Sequence, residues 1–221
     1  MKLADAQIAV LAENLYQELE LWYPLMRLRE EGCNVVVVGP ARQVYASKLG
    51  YPVTPDVAIA DADPAAFDAV VIPGGFAPEN MRRSRPLIDF VRKVHDLGSL
   101  IAAVCHAGLV LASAGIARDR ALTCVALIKD DVINAGGKYQ DREVVRDGNL
   151  ITSRLPSDLH VFCREIVAYL REAPRTASKP LAVAGPRTSA AYTHVAELTQ
   201  GPRGTASADY TSVVRTGARV L

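Results

Sequence analysis

Residues 99–108 constrain the fold more than any other part of the chain, because they read as a buried strand that stops at a thiol and continues as a helix. Ala103 and Ala107 stand two residues before and two residues after Cys105. A nucleophile elbow requires small residues at both places, since its sharp strand-to-helix turn brings two backbones together and holds the central side chain in a strained, exposed conformation. The spacing predicts a nucleophile at Cys105.

A thiol at such a turn meets the first free N–H groups of the following helix, and their partial positive charge favours the thiolate over the thiol. The alternative is a buried cysteine packed at the end of a strand, which is the usual place of an isolated thiol. The elbow spacing and the adjacent His106 favour the nucleophile over this alternative.

Strands alternate with helices before and after the elbow. Apolar runs at residues 7–12 and 34–38 flank a helical pattern at residues 16–29, which predicts a βαβ unit and a parallel sheet covered on both faces. Further along, the pattern predicts a strand at residues 67–72, a helix at residues 86–97 with Ser84 as its cap, a hairpin turn at residues 147–149 and a helix from about Ser157. The sequence therefore predicts an α/β fold with a mainly parallel sheet.

The chain has 221 residues, half of them hydrophobic, which is enough for one sizeable core with an extension. We expect the domain to occupy residues 1–172. We expect residues 173–221 to form a C-terminal extension. They are rich in Ala, Thr, Ser, Gly and Pro, a composition that by itself is typical of disordered segments. Within them, the pattern predicts one short helix at residues 190–198. The extension is expected to lie along the domain or along a partner subunit.

The net charge of +1, without runs of like charge, argues against nucleic acid or a membrane surface as partner. The first residues contain no long apolar segment, so we expect a soluble cytoplasmic protein. Four cysteines are widely spaced without a CxxC pair, and the histidines lack ligand spacing to one another. We therefore expect reduced thiols, no metal and no cofactor, with a small molecule or a modified protein as substrate.

In an open parallel sheet, ligands bind at the carboxyl ends of the strands. Three loops are expected there, at residues 13–16, at residues 74–80 and at the Cys105 turn. Glu20 follows the first loop among apolar residues, where contact with a thiol would raise its pKa and let it deliver a proton. The alternative is a first-turn glutamate favoured only by the helix dipole. Gly75 permits a backbone N–H to join that of His106 in an oxyanion hole, although an ordinary tight turn would explain the glycine pair equally well.

Six segments together resemble the ThiJ/PfpI superfamily, and most closely its PfpI-like cysteine hydrolase branch. They span about residues 7–172 and occur in the family's order at residues 10–11, 16–24, 71–79, 104–108, 128–137 and 147–154. The resemblance implies the flavodoxin-like three-layer α/β/α sandwich that class I glutamine amidotransferase domains share.

The resemblance also implies roles for individual residues. Cys105 is the nucleophile and is hydrogen-bonded to Glu20, while Gly75 and His106 supply the oxyanion donors. Glu79 completes a triad with His106 across a subunit interface, which implies a homodimer or a higher homo-oligomer. Family activities include peptidase, deglycase, glyoxalase-like hydration and stress protection.

Two departures from the family pattern lie close to these residues. Val125, behind Thr123 and Cys124, stands where the pattern has the tyrosine of Ser-Tyr-Pro, and Gln17 replaces a common acid. We expect a cysteine-dependent enzyme that forms a covalent Cys105 adduct with a carbonyl or acyl substrate. Two alternatives stay open, which are a redox sensor in which Cys105 is oxidised without turnover and a binding module whose chemistry has lapsed.

Overall fold

Seven strands form the central sheet, and every strand predicted from an apolar run is among them. The structure, a computed structural model, describes residues 2–173. In chain order its strands are β1 (Gln7–Leu11), β2 (Asn34–Gly39), β3 (Tyr45–Ala46), β4 (Pro52–Val53), β5 (Val57–Ala58), β6 (Ala69–Ile72), β7 (Leu100–Val104), β8 (Ala121–Leu122), β9 (Lys138–Tyr139), β10 (Val144–Asp147) and β11 (Leu150–Ser153). The α-helices are α1 (Glu18–Glu30), α2 (Ala77–Met81), α3 (Arg85–Asp96), α4 (Gly108–Ala114), α5 (Lys129–Asn134) and α6 (Leu159–Glu172).

The strand order in the central sheet is β10-β11-β7-β6-β1-β2-β5. All neighbours are parallel except β10 and β11, which form the predicted antiparallel hairpin with Asp147 opposite Leu150. Helices α1 and α6 pack together on one face of the sheet, and α3 and α4 pack on the other. This arrangement confirms the flavodoxin-like three-layer α/β/α sandwich.

The core follows the apolar runs. Every residue of β1, β6 and β7 is buried, as continuous apolar strands between two helical layers should be. Ser84 occupies the N-cap position of α3 as predicted, but its side chain makes no capping hydrogen bond. The parallel order brings the carboxyl ends of β1, β6 and β7 together at one edge of the sheet.

Within residues 2–173 the sheet carries a helical layer on each face. All but the first residue of the predicted extension at residues 173–221, including the helix predicted at residues 190–198, lies outside the described residues. We expect deletion of residues 174–221 to leave a soluble domain with a single cooperative thermal transition, because residues 2–173 already form a continuous buried core between the sheet and its helices. The deletion should instead alter substrate preference or oligomer size. A truncated protein that is insoluble, or that melts without cooperativity, would place part of the core in those residues.

Candidate active site

Cys105 lies immediately after β7 in the left-handed region of backbone conformation, with φ of +61°. Residues Cys105–Ala107 form one 3-10 turn, and α4 begins directly after it. A left-handed conformation costs a non-glycine residue about 1–2 kcal/mol, so the surrounding structure must enforce it. The predicted strained elbow is therefore confirmed, but the expectation that it holds its side chain exposed is wrong, because Cys105 is buried at the sheet edge with only 9% of the residue accessible to solvent.

Two backbone N–H groups donate hydrogen bonds to the Cys105 sulfur, those of His106 and Gly75, and both lower the pKa of the thiol. These are the two groups predicted to form an oxyanion hole. Gly75 has φ of +74°, and a Cβ on it would lie 2.4 Å from the carbonyl oxygen of Leu15 and 2.5 Å from the amide nitrogen of Gln17. A side chain therefore does not fit at this position, and glycine is what allows the Gly75 N–H to approach the sulfur.

Glu20 is fully buried in the first turn of α1. Its Oε2 accepts a hydrogen bond of 2.8 Å from the Gly74 N–H, and its Oε1 is buried without a hydrogen-bond partner. A Cβ on Gly74 would lie 2.6 Å from Glu20 Oε2 and 2.7 Å from Cys105 Cβ. The carboxyl and thiol side chains therefore flank the same glycine.

Burial raises the pKa of Glu20 to about 7, against the lowering effect of the Gly74 N–H and the hydrogen bond with Cys105. Burial, followed by the charge of Glu20, raises the pKa of Cys105 to about 12 despite its two N–H donors. The expectation that the helix terminus favours the thiolate is wrong, because desolvation and a neighbouring carboxylate outweigh it. The raised pKa predicted for Glu20 is confirmed, so its carboxyl group changes charge near neutral pH beside the thiol.

Gln17 fixes the position of Glu20. It is the N-cap of α1, and its Oε1 accepts a hydrogen bond of 3.0 Å from the Glu20 backbone N–H. The Gln17 N–H donates to the carbonyl oxygen of Gly74 at 3.2 Å. One residue therefore ties the helix that carries the carboxyl group to the glycine loop that carries an oxyanion donor.

Gln17→Ala removes this cap without adding charge. We expect it to destabilise the protein by about 1 kcal/mol, as cap removal commonly does, and to lower turnover because Glu20 is no longer held against Gly74. Thermal melts and kcat would measure the two effects. Gln17→Glu keeps the acceptor oxygen but adds a charge, and should move the pKa of Glu20 upward. Wild-type turnover and an unchanged pH profile in both variants would reduce Gln17 to a surface residue.

His106 has the orienting partner that an imidazole base needs. Its Nδ1 lies 2.9 Å from Glu79 Oε1, and its side chain is only 13% exposed. This Glu79 belongs to the same chain, whereas the resemblance implied that the contact crosses a subunit interface. Helix α2 starts directly after the Gly74–Gly75 loop, so Glu79 reaches the elbow without a second subunit.

Val125 is the residue that replaces the tyrosine of the family pattern near the thiol. Its backbone N–H contacts the carbonyl oxygen of Cys105 at 3.5 Å, and its side chain is partly buried against the core. The position adjoins the nucleophile, so an apolar side chain there replaces any hydroxyl that could donate a proton. Glu20 is then the titratable side chain that interacts with the thiol, and His106 is its neighbour along the chain.

The sequence matches the DJ-1/PfpI family over residues 6–169. The chain belongs to the DJ-1/PfpI family. It is 41% identical to the deglycase PfpI of Pyrococcus furiosus over 165 residues, which are 75% of this chain and 99% of that protein. An uncharacterised protein of Archaeoglobus fulgidus is 43% identical over 165 residues, 75% of this chain and 98% of its own.

Solved structures of DJ-1/PfpI proteins share this fold. Drosophila melanogaster DJ-1beta superposes with a TM-score of 0.70 at 33% identity, covering 75% of this chain and 90% of that one. A two-domain Anabaena variabilis protein with DJ-1/ThiJ/PfpI-like and ferritin-like domains gives a TM-score of 0.74 at 38% identity. That match covers 77% of this chain and half of the longer one.

The structure brings together five residues that the sequence predicted for this DJ-1/PfpI site, which are Cys105, His106, Glu20, Glu79 and Gly75. The capping of α1 by Gln17 was not predicted, since glutamine is not among the common N-cap residues. Within residues 2–173, no three His, Cys, Asp or Glu side chains are grouped as metal ligands. No helix of that same range has the length and apolar character that crossing a membrane requires.

Proposed function

We propose that this DJ-1/PfpI protein is a cysteine-dependent enzyme that removes reactive carbonyl or acyl groups through a covalent adduct on Cys105, in a deglycase-type hydrolysis. The proposal is carried by the surroundings of the Cys105 thiol. The backbone at Cys105 is strained, two N–H groups donate hydrogen bonds to its sulfur, and a buried carboxyl group with a pKa of about 7 lies beside it. The name of the Pyrococcus furiosus relative, deglycase PfpI, supports the same class of reaction.

Each residue around Cys105 has a separate role in the proposed reaction. The Glu20 carboxylate takes the thiol proton, and the thiolate then attacks the substrate carbonyl carbon. As the C–S bond forms, the carbonyl π electrons move to the oxygen, which accepts hydrogen bonds from the N–H groups of Gly75 and His106. With an acyl substrate, Glu20 returns its proton to the leaving amine and a thioester remains. With a free aldehyde the adduct is a hemithioacetal whose oxygen takes up the proton. For a 2-ketoaldehyde, Glu20 then moves the proton on the former aldehyde carbon to the neighbouring carbonyl carbon through an enediol, which converts the hemithioacetal into a 2-hydroxyacyl thioester without an outside oxidant.

Water completes the cycle. A base removes a proton from water, the hydroxyl group adds to the thioester carbon, and the C–S bond breaks to restore the thiol. We assign the base to Glu20 or to His106, whose Nδ1 is engaged by Glu79 and whose Nε2 therefore remains for the substrate side.

A substrate screen tests the proposal. Purified protein is incubated with methylglyoxal, with methylglyoxal-modified N-acetyl-lysine, with small amides and with peptides, and released amine and hydroxy acid are quantified. We expect turnover of the carbonyl compounds. If no compound is consumed while dilute peroxide converts Cys105 to its sulfinate, the protein is a redox sensor. If neither change occurs, the fold serves binding alone.

We also propose a cytoplasmic homo-oligomer, although its site does not need a second subunit. Support comes from exposed apolar side chains on one face of α1, those of Leu19, Tyr23 and Met26. Sedimentation velocity at two concentrations measures the assembly, and a monomer at the higher concentration would contradict it.

A further inference from the structure

Lys48 is a cation close to the Cys105 site, because its side chain contacts Phe76, the residue after Gly75, and its charge acts on Glu20. Its backbone N–H donates a hydrogen bond of 2.9 Å to the carbonyl oxygen of Tyr16. Tyr16 forms isolated β-bridges with Ser47 on one side and with Gly75 on the other. The backbone at Tyr16 therefore lies between the Lys48 segment and Gly75, whose N–H donates a hydrogen bond to the thiol.

The Lys48 side chain extends over Phe76. Its Nζ lies 5.3 Å from the centre of the Phe76 ring, which is a cation–π contact. The other neighbour of Phe76 is the His106 ring, whose centre lies 5.8 Å away in an edge-to-face arrangement. Phe76 is half exposed, so one aromatic ring with an open surface separates the ammonium group from the imidazole.

Two carboxyl groups near Lys48 are already engaged. Glu18 Oε1 accepts hydrogen bonds from the Ser47 hydroxyl and from the Leu49 N–H, and Glu20 is bound to Gly74. Lys48 acts on both at a distance, because its charge opposes the effect of burial on their pKa values. Within residues 2–173, no carboxylate oxygen lies within 4.0 Å of Nζ, so the exposed ammonium group has no ion-pair partner there.

We propose that Lys48 binds a carboxylate of the substrate, and that the enzyme therefore prefers reactive carbonyl compounds that also carry a carboxylate group. This inference rests on the proposed function, in which the carbonyl carbon bonds to Cys105. Phe76 supplies an apolar surface for the carbon atoms between the two groups. A single flexible ammonium suits a carboxylate, whereas phosphate sites usually combine several N–H donors or a guanidinium group.

Two alkylating reagents that differ in charge test the subsite without any turnover. Iodoacetate and iodoacetamide each transfer a CH2 group to the Cys105 sulfur with loss of iodide, but only iodoacetate carries a carboxylate. The ratio of their rate constants removes any change in the thiol itself. We expect Lys48→Met to lower the iodoacetate-to-iodoacetamide ratio about fivefold, the upper limit for one exposed ion pair. Lys93→Met, which removes an exposed lysine from α3, is the matched control and should leave the ratio unchanged.

The same variants are then compared in turnover. The paired substrates are methylglyoxal-modified N-acetyl-lysine and its C-terminal amide, which differ only in the carboxylate. For the acid, Lys48→Met should raise KM about fivefold with little change in kcat, and Lys48→Arg should restore most of the affinity. For the amide, Lys48→Met should raise KM less than for the acid, and any change in kcat that the two substrates share would reflect the effect of the Lys48 charge on the pKa of Glu20.

The two experiments separate the two proposals. An alkylation ratio that is the same in Lys48→Met and in the wild type overturns the carboxylate subsite, whatever the enzyme turns over. A lowered ratio in a protein that consumes no substrate keeps the subsite and overturns the proposed function. An equal rise in KM for the acid and the amide would mean that Lys48 acts only through its charge on Cys105 and Glu20, which also overturns the subsite.

Discussion

Cys105→Ala is expected to abolish turnover, with kcat/KM falling by about 10⁴-fold or more, as happens when a covalent nucleophile is removed. The change deletes only the sulfur at a position whose backbone already lies at φ of +61°, so the elbow should keep its shape. Initial rates on the best carbonyl substrate measure the loss, and a thermal melt confirms that the variant is folded.

Cys33→Ala is the matched control, because it removes a buried thiol that the site does not contact. It should retain wild-type turnover. Residual activity in Cys105→Ala above about one hundredth of the wild-type rate would show that the thiol is not the nucleophile.

Selective labelling provides an independent check on the same residue. Cys105 is 9% exposed, whereas Cys33, Cys124 and Cys163 are each at most 3% exposed. Burial raises the pKa of all four thiols to about 11 or 12, so access rather than acidity should set the order of reaction. Iodoacetamide at neutral pH should modify Cys105 first, and faster modification of any other cysteine would contradict the elbow.

Much of the fold could be predicted because local signals agree with the packing. Strands β1, β6 and β7 are apolar runs buried on both faces, β2 is a largely buried apolar run, and the Gly148–Asn149 turn sets the register of the β10–β11 hairpin. The two-residue strands β3, β4, β5, β8 and β9 were not predicted. They are too short to show a periodicity, since only their backbone pairing defines them.

The residues of the candidate site were predicted from the sequence, but the raised pKa of the Cys105 thiol was not. Small residues around Cys105 and a glutamate among apolar neighbours are visible in the sequence. The desolvation of the thiol is not, because it depends on how completely Gly74, Gly75 and α1 cover it. The pairing of His106 with Glu79 was predicted, but the resemblance implied a contact between subunits, whereas in the structure the short connection from the Gly74–Gly75 loop to α2 lets the pair form within one chain.

Glu20→Gln is expected to lower turnover by about 10²–10⁴-fold, the usual contribution of a general acid–base group. Glutamine is isosteric, and its amide oxygen can still accept the Gly74 N–H, so the loss would reflect proton transfer rather than packing. Glu18→Gln is the matched control, because Glu18 lies in the same helical turn but bonds to Ser47 and Leu49. It should stay within about threefold of the wild type, and Glu20→Gln within twofold of the wild type would make Glu20 a structural residue.

The pH dependence gives the same variant a second readout. Glu20 must be ionised to accept the thiol proton, so wild-type kcat/KM should rise with pH through about 7, and this rise should disappear in Glu20→Gln. Stability should change in the opposite direction. Because the pKa of Glu20 is raised from 4.5 to about 7 in the folded state, the native protein binds more protons than the unfolded chain between these values. Wild-type unfolding free energy should therefore fall as pH rises from about 4.5 to 7, whereas Glu20→Gln should lose this component. Denaturant melts across that range would measure it, and parallel curves for the two proteins would show that Glu20 titrates as an ordinary exposed glutamate.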